Sequence, residues 1–373
     1  MDPIPSPRGW AKPFSSRIVG VLDMRVFLSV LQFRTRSMAA ANSRAARRCR
    51  LALASLAGAV ILLASLSCGS STAVIVFTSD RDGNLEIYSV DTNGEVETNL
   101  TSSATDEFDP VLSPDRRRIS FLSGEQGNTA VEVMRVDGTE RGPVTQSGAD
   151  HGNHRWAPGN DRIAFARRSG AESKIYMVGF DGSKLALLTS IEGHDVGDWS
   201  SNGDSVAFVV EGGPKQGIYV RNPDGVNEFQ MTETPDYSPI WSPDSRRLAF
   251  LSTRDGNPEI YVMDADGANM LRLTETEADE YDISWSPNGQ NILFVSERDG
   301  NPEVYTAARD GGRQTRLSFN TVVDKQPAWS PTGKKIAFVS YLDGDADIFV
   351  MGSDGKNQKR ITSNDADDTN PAW

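Results

Sequence analysis

Residues 248–285 have the sequence LAFLSTRDGNPEIYVMDADGANMLRLTETEADEYDISW. Three runs rich in apolar residues, Leu248–Ser252, Glu259–Met263 and Met270–Thr274, alternate with the turn sequences R-D-G-N and D-A-D-G, and a fourth run ends at Trp285. Asp-Gly and Asn-Gly supply the positive-φ positions that tight hairpins need, whereas β-branched and aromatic residues favour strands. The segment therefore predicts four short antiparallel strands joined as a meander.

The same pattern recurs along the chain. An apolar triplet that ends in Phe occurs seven times, with start-to-start steps of 42 to 44 residues: Ile75–Phe77, Ile119–Phe121, Ile163–Phe165, Val206–Phe208, Leu248–Phe250, Ile292–Phe294 and Ile336–Phe338. A second landmark keeps nearly the same step and is Trp in six of the seven units: Leu112, Trp156, Trp199, Trp241, Trp285, Trp329 and Trp373. A repeat of about 40–45 residues with four strands is typical of β-propeller blades.

These units predict an all-β fold, a seven-bladed β-propeller of four-stranded antiparallel blades over residues 74–373, with residues 69–73 as a short linker before it. The first unit starts at the second strand of a blade, and residues 371–373 belong to an inner strand. We therefore expect the C-terminal strand to pair into the first blade, which leaves no open edge strand. The repeated Phe, Trp and Tyr side chains should fill the space between blades.

The first 68 residues differ from the rest of the chain. They contain ten Lys and Arg side chains against Asp2 and Asp23, and the apolar run 51–66 is followed by small residues. This arrangement is typical of a secretory signal, and the run is shorter than the roughly 20 residues that span a bilayer. We expect residues 1–68 to be an export segment, with translation starting at Met38 or Met24. The protein should then be periplasmic or lie on the outer surface.

Cys68 follows the apolar run and resembles the acceptor cysteine of bacterial lipoproteins. Ser67 fits that pattern, whereas Ser65 and Leu66 depart from it. Lipidation of Cys68, cleavage without lipidation, and retention of the run as a membrane anchor all remain open. Because Cys49 lies inside the export segment, no disulfide framework is expected in the mature chain.

The repeated motifs P-A-W-S-P-x-G-x-x-I-A-F-V-S and D-G-x-x-x-I-Y-V-M-x-x-D-G resemble the WD-type repeats of TolB-like propellers. Similar blades occur in the propeller domains of prolyl oligopeptidase and dipeptidyl peptidase relatives. The resemblance covers residues 74–373 and implies an envelope-associated propeller. TolB itself carries an α/β domain before a six-bladed propeller, whereas this sequence has seven units and no space for that domain between Cys68 and Val74. A strict TolB role in the Tol–Pal system is therefore not what we expect from the sequence.

An acidic residue or His lies five residues before each landmark. These seven residues are Glu107, His151, His194, Asp236, Glu280, Asp324 and Asp368. The loops that enter the inner strands should share one face of the ring, so we expect this register, together with His154, to encircle the mouth of the central channel. The side chains either accept hydrogen bonds from backbone N–H groups at the strand entrances, or form an anionic funnel for a cationic group, a peptide or a metal.

Catalytic motifs are missing from the sequence. It contains no G-x-S-x-G, no G-x-x-x-x-G-K-[ST] and no cysteine after residue 68. We therefore expect no enzyme activity and no cofactor, and interpret the protein as a monomeric binding module for envelope proteins or peptides, with cationic groups preferred. The net charge of −13 makes nucleic acid a poor partner. Any contact with a membrane should run through the N-terminal segment or a lipid on Cys68.

Two alternatives remain open. A metal-dependent polysaccharide lyase or hydrolase would use the His and acidic residues at the channel mouth, as oligogalacturonate lyases with similar blades hold a metal in their channel. A recognition subunit that partners a separate peptidase would use the propeller without a hydrolase domain of its own. Only the first alternative requires a divalent metal.

Overall fold

The computed structural model of the protein describes residues 74–170, 172–189, 191 and 195–373. They belong to one compact unit, Ser71–Trp373. The predicted export segment, the linker 69–73 and Cys68 lie outside the described residues, as does His194. Within the described part of the chain, no helix is long and apolar enough to cross a membrane.

The described residues form 28 strands in seven four-stranded antiparallel sheets, which are the blades. Blade 1 contains β1 (Val74–Ser79), β2 (Glu86–Asp91) and β3 (Glu97–Asn99), and blade 2 contains β4 (Glu107–Leu112), β5 (Arg118–Glu125), β6 (Asn128–Arg135) and β7 (Gly142–Pro143). Blade 3 contains β8 (Asp150–Trp156), β9 (Arg162–Ser169), β10 (Glu172–Gly179) and β11 (Ala186–Leu187). Blade 4 contains β12 (Asp195–Trp199), β13 (Val206–Val210), β14 (Gly217–Arg221) and β15 (Glu228–Gln230).

The remaining blades have the same order. Blade 5 contains β16 (Asp236–Trp241), β17 (Arg247–Ser252), β18 (Glu259–Asp264) and β19 (Leu271–Arg272), and blade 6 contains β20 (Glu280–Trp285), β21 (Asn291–Ser296), β22 (Glu303–Ala308) and β23 (Gln314–Arg316). Blade 7 contains β24 (Asp324–Trp329), β25 (Lys335–Ser340), β26 (Asp347–Gly352) and β27 (Lys359–Arg360). The last strand, β28 (Asp368–Ala372), belongs to blade 1.

β28 completes the first blade. It runs antiparallel to β1, with Val76 opposite Ala372 and Ser79 opposite Asp368, and the strand order in this sheet is β28-β1-β2-β3. Trp373, directly after β28, is buried. The prediction of a seven-bladed propeller closed by its C-terminal strand is confirmed.

Aromatic side chains hold the blades together. The seven Phe residues of the repeated triplet are 0–1% exposed. In blade 5, the Phe250 ring lies 5.7 Å from the Tyr261 ring and shares a cluster with Trp241 and with Ile218 of blade 4. Burying each such side chain contributes about 1.5–3 kcal/mol. The strict spacing of Phe and Trp in the sequence therefore reflects packing between blades.

One turn glycine shows how closely neighbouring blades approach each other. Gly355 has a φ of 80°, and a Cβ at this position would lie 2.7 Å from the carbonyl oxygen of Leu317 in the preceding blade. Glycine alone tolerates both the positive φ and this contact. At this D-G turn, glycine is thus required by packing as well as by hairpin geometry.

Each inner strand contains a β-bulge. The pairing register shifts within the inner strand of all seven blades. In six blades, the residue three positions before the landmark has a φ of 41° to 53°: Asp109, Asn153, Ser238, Asp282, Gln326 and Asn370. Short polar residues are enriched at positive φ, and a bulge changes the direction of the side chain it carries. Five of these six residues line the central cavity, so the bulge supplies the channel with its polar lining.

Candidate functional site in the central channel

The acidic and His register predicted from the sequence lies at the entrances of the inner strands. Its five acidic side chains are the first residues of their strands and are 0–1% exposed: Glu107, Asp236, Glu280, Asp324 and Asp368. His151 is the second residue of β8 and is also buried. Because these side chains are buried, they offer no open surface to a ligand in this structure. A binding role for them stays a prediction.

Four of the five acidic residues pair with an arginine of the same blade. The nitrogen–oxygen distances are 2.7 to 3.1 Å: Arg141 with Glu107, Arg254 with Asp236, Arg298 with Glu280 and Arg81 with Asp368. Three of these arginines come from R-D-G-N turns, and their guanidinium groups lie 4.3 to 4.7 Å from the centroid of a tyrosine ring. The ion pairs tie a turn or an outer strand to the inner strand. Removing one partner of such a buried pair is strongly destabilising.

Asp324 departs from this pattern. The corresponding turn in blade 7 begins Y-L-D-G, at residues 341–344, and has no arginine. Asn320 Nδ2 donates a hydrogen bond to Asp324 Oδ2 over 2.7 Å. Burial is the main cause that raises the pKa of Asp324; hydrogen-bond donors oppose the rise, and the charge of Glu303 adds to it.

The two described histidines occupy different environments. His151 Nδ1 lies 2.6 Å from the carbonyl oxygen of Thr129, and its ring packs against Phe165. His154 lines the central cavity, is 1% exposed, and has no hydrogen-bond partner at Nε2. Burial, followed by the charge of Arg155, lowers the pKa of His154 to about 4. The His154 imidazole is therefore neutral near pH 7.

The central cavity is polar and has a volume of about 330 Å³. Its lining combines the bulge residues of five blades with their neighbours on the inner strands: Asp109, Pro110, Val111, Asn153, His154, Arg155, Asp282, Ile283, Gln326, Pro327, Asn370 and Pro371. Of the residues predicted from the sequence, only His154 belongs to this lining.

Hydrogen bonds connect the bulge residues of neighbouring blades. The backbone N–H of Gln326 donates to Asp282 Oδ2 over 2.9 Å, and Gln326 Nε2 donates to Asn370 Oδ1 over 2.5 Å. Asn370 Nδ2 in turn donates to Asp109 Oδ1 over 2.9 Å. The chain of bonds spans blades 6, 7, 1 and 2 and fixes the orientation of two carboxyl groups in the cavity.

Acidic groups outnumber cations around the channel. Burial is the main cause that raises the pKa of four carboxyl groups there: Asp109, Asp195, Asp198 and Asp282. The value for Asp198 rises to about 6. The charge of Arg155 opposes the rise at the first three, and Lys325 opposes it at Asp282. The Arg155 guanidinium itself donates a hydrogen bond to the His154 carbonyl oxygen over 2.9 Å.

Residues that could hold a metal do not converge in the described part of the chain. There, no three His, Cys, Asp or Glu side chains form a group suited to bind a metal ion. His194, which the sequence analysis included, lies outside the described residues.

The bulge register was missed in the sequence analysis, although the sequence contains a signal for it. Three residues before the landmark, six of seven units carry Asp, Asn, Gln or Ser. Asp and Asn favour positive φ, so a short polar residue at one fixed place in a strand indicates a bulge. The register five residues before the landmark was more uniform in charge, but its side chains are buried.

Comparisons with known proteins assign the chain to a family. The model of the TolB beta propeller domain matches residues 64–236 and 197–327. The Protein TolB homolog of Chlorobium luteolum is 31% identical over 192 residues, which are 51% of this chain and 34% of that relative. The Tol-Pal system protein TolB of Thioalkalivibrio sulfidiphilus is 39% identical over 71 residues, 18% of this chain and 16% of the relative. The matches thus cover about a third or less of the curated relatives' own length.

Solved structures share the fold at lower identity. TolB from Acinetobacter baumannii superimposes with a TM-score of 0.57 and 19% identity over 85% of this chain and 70% of that one. An oligogalacturonate lyase in complex with manganese gives a TM-score of 0.62 and 18% identity over 75% of this chain and 86% of that one. Such low identities show a common fold and nothing about activity. With seven four-stranded blades and a family match over more than half of its length, this chain belongs to the family of TolB β-propeller domains.

Proposed function

We propose that the protein is exported to the cell envelope and acts there as a non-enzymatic binding module, whose central channel receives a positively charged group of a partner protein or peptide. The curated relatives that are named as Tol-Pal system proteins support an envelope location. The kind of partner follows from the chemistry of the channel.

One observation carries this proposal. Asp109 and Asp282 line the same cavity, and the hydrogen bonds to their carboxyl oxygens come from the amide groups of Asn370 and Gln326. Burial raises the pKa of both carboxyl groups, because the charged form has lost hydration that the amides only partly replace. A cation that enters the channel would stabilise both charges at once. The channel therefore favours a Lys or Arg side chain or an ammonium group over a neutral one.

The size and lining of the cavity favour binding over catalysis. Its volume of about 330 Å³ is in the range of roughly 300–1,000 Å³ that ligand pockets occupy. It can admit a side chain or an extended segment, but not a folded domain. Among the described residues that line it, there is no Ser, Thr, Cys or Lys to serve as a nucleophile next to His154.

Capture of the partner by the immobilised protein tests the proposal. The variant D109N/D282N removes the negative charges of Asp109 and Asp282 and keeps the side-chain shapes, whereas E95Q/E140Q removes two exposed charges as the matched control. We expect D109N/D282N to capture the partner from solubilised envelopes about tenfold more weakly, which corresponds to roughly 1.4 kcal/mol. The control should capture the partner as strongly as the wild type does. Added salt should weaken the binding of the partner to the wild type.

Equal capture by D109N/D282N and by its control would contradict a role for the channel charges. Thermal unfolding of both variants shows whether a loss of capture comes from the site or from the fold. We expect the two melting temperatures to lie close to that of the wild type.

A further inference from the structure

Four consecutive blade junctions each contain two buried carboxyl groups. One belongs to the first residue of the third strand of a blade, and the other to the first residue of the inner strand of the next blade. The pairs are Glu86 with Glu107, Glu259 with Glu280, Glu303 with Asp324, and Asp347 with Asp368. All eight side chains are 0–1% exposed. We call them the junction pairs.

The junction between blades 5 and 6 shows the geometry. Thr276 links the two side chains, since its N–H donates to Glu259 Oε1 over 2.6 Å and its Oγ1 donates to Glu280 Oε1 over 3.0 Å. Arg272 lies 3.0 Å from Glu259 Oε1, and Arg298 lies 3.1 Å from Glu280 Oε1. These donors all reach the two Oε1 atoms, and Thr274 also hydrogen-bonds to the Glu259 carboxyl group. The two carboxyl groups are within hydrogen-bonding reach of each other.

Two carboxylate oxygens cannot hydrogen-bond to each other unless one of them carries a proton. A single proton shared by the two carboxyl groups would remove the repulsion between two negative charges in a buried place. Proton sharing of this kind is the standard behaviour of two carboxyl groups in contact. The geometry at this junction therefore fits one proton per pair.

A bridging loop residue recurs at two further junctions. Between blades 1 and 2, the N–H of Ser103 donates to Glu86 Oε1 over 2.7 Å and its Oγ donates to Glu107 Oε1 over 2.8 Å. Between blades 6 and 7, the N–H of Asn320 donates to Glu303 Oε1 over 3.1 Å and its Nδ2 donates to Asp324 Oδ2.

The fourth junction, between blades 7 and 1, has an equivalent loop residue. Asn364 Nδ2 donates to Asp368 Oδ2 over 2.8 Å. Arg360 lies 2.5 Å from Asp347 Oδ2 and Arg81 lies 2.9 Å from Asp368 Oδ2, so each carboxyl group of this pair has an arginine partner. At three of the four junctions, one loop residue thus donates hydrogen bonds to both carboxyl groups of the pair, and at the fourth the charge of Asp368 acts on Asp347.

At the junction between blades 6 and 7, charge balance supports the same conclusion. The pair between blades 6 and 7 has one arginine partner, Arg316, which lies 2.6 Å from Glu303 Oε1. Asp324 Oδ1 has no hydrogen-bond partner. With two carboxyl groups and one guanidinium, this junction needs one more positive charge to be neutral. A proton supplies it in the least space.

The pKa values agree with this geometry, because the pKa of one carboxyl group in each junction pair is raised. Burial is the main cause in all four cases: Glu107, Glu280 to about 7, Asp324, and Asp347 to about 6. For Glu280, the neighbouring Glu259 is the next cause. The pKa of Glu259 is lowered in turn by its hydrogen-bond donors, although burial opposes this.

We propose that each of the four junction pairs is a proton-binding site, in which one proton is shared between two buried carboxyl groups and joins neighbouring blades. Above the pH at which this proton is lost, two negative charges face each other at the junction. The arc of the ring from blade 5 through blades 6, 7 and 1 to blade 2 is then weakened, so the sites make its packing pH-sensitive.

The sign of the pH effect follows from the direction of the shifts. A carboxyl group with a raised pKa binds its proton more strongly in the folded than in the unfolded protein, so stability falls as pH rises from the unfolded pKa to the folded one. For Glu280 this window extends from 4.5 to about 7. Arg272 and Arg298 face the pair and stay charged throughout, and Asp255 and Glu275 contact Arg272 from outside.

A divalent cation is the competing occupant of a junction pair. Two carboxyl groups are few ligands for Ca²⁺, which takes about 6–8 oxygens. At the pair between blades 5 and 6, a Ca²⁺ ion would also have to share the two carboxyl groups with Arg272 and Arg298. The test therefore includes added Ca²⁺ as a separate arm.

Infrared spectroscopy and thermal unfolding of the full-length protein test the proposal. We expect wild type at pH 6 to show the carbonyl band of protonated carboxylic acids. In E280Q and in E259Q, this band should be weaker by the intensity of one protonated carboxyl group. The control E275Q changes an exposed carboxylate next to the same Arg272 and should keep the band. The melting temperature of wild type and E275Q should fall between pH 5 and pH 8, and that of E280Q should fall less.

The proposal is overturned if the bands of E280Q and E259Q are as strong as that of E275Q. It is also overturned if the melting temperatures of all these proteins fall by the same amount between pH 5 and pH 8. It is also overturned if Ca²⁺ raises the melting temperature of wild type but not of E280Q at pH 8, because the site would then hold a cation. Should E280Q fail to fold, E259Q gives the same comparison from the other side of the pair.

Discussion

Replacing Arg81 by methionine tests how the first blade is held closed. The guanidinium lies 2.9 Å from the carboxyl group of Asp368, the first residue of the closing strand, and 4.3 Å from the centroid of the Tyr88 ring. Asp368 is fully buried, and removing one partner of a buried pair costs about 3–5 kcal/mol. Asn364 Nδ2 still donates to Asp368, so we expect the lower end, about 3 kcal/mol. At roughly 2 °C per kcal/mol for a domain of this size, the melting temperature should fall by about 6 °C.

Scanning calorimetry at pH 7 measures this loss. The double variant R81M/D368N should recover part of the loss at pH 7, because its amide carries no charge. R246M removes an exposed arginine and is the matched control. The reasoning is refuted if R81M and R246M melt at the same temperature at pH 7.

Two further predictions concern the ends of the chain. Deleting Asn370–Trp373 removes the pairing of Ala372 with Val76 and the buried Trp373, so we expect a loss of at least about 3–5 kcal/mol in the free energy of unfolding. An unchanged denaturation midpoint in urea would show that these residues do not close the ring. If Cys68 carries a lipid, C68A should move the protein from the membrane to the soluble fraction without changing its melting temperature, whereas a wild-type protein that is already wholly soluble would argue against lipidation.

The fold could be predicted from the sequence because its main interactions repeat. Each blade packs on the next through the same Phe and, in six blades, the same Trp, so the periodicity of these residues counts the blades directly. The turns repeat as well, since Gly355 and its counterparts all have a positive φ, which favours glycine. Closure by the last strand followed from the order of the strands within a unit. None of these inferences depends on the direction in which a side chain points.

The lining of the channel could not be predicted in this way, because it depends on a β-bulge. In a regular strand, side chains alternate between the two faces, and counting from Trp285 back to Glu280 gives a definite face. The bulge between Tyr281 and Ser284 breaks this alternation. Asp282 lines the channel, and Glu280 is buried at the strand entrance. A count along the sequence found the acidic register but could not give its environment.

Predicting the junction pairs from the sequence would also require knowing which side chains of neighbouring blades are in contact. Within each pair the two acidic residues are 21 residues apart, a spacing present in the sequence at all four junctions. Spacing alone does not show that the side chains face each other, because they belong to different sheets. At the other three junctions, the third strand carries Ala130, Lys174 or Gly217 where the pairs have an acidic residue. Since these three junctions follow one another, the pH response expected from the junction pairs is confined to one arc of the ring, from blade 5 through blades 6, 7 and 1 to blade 2.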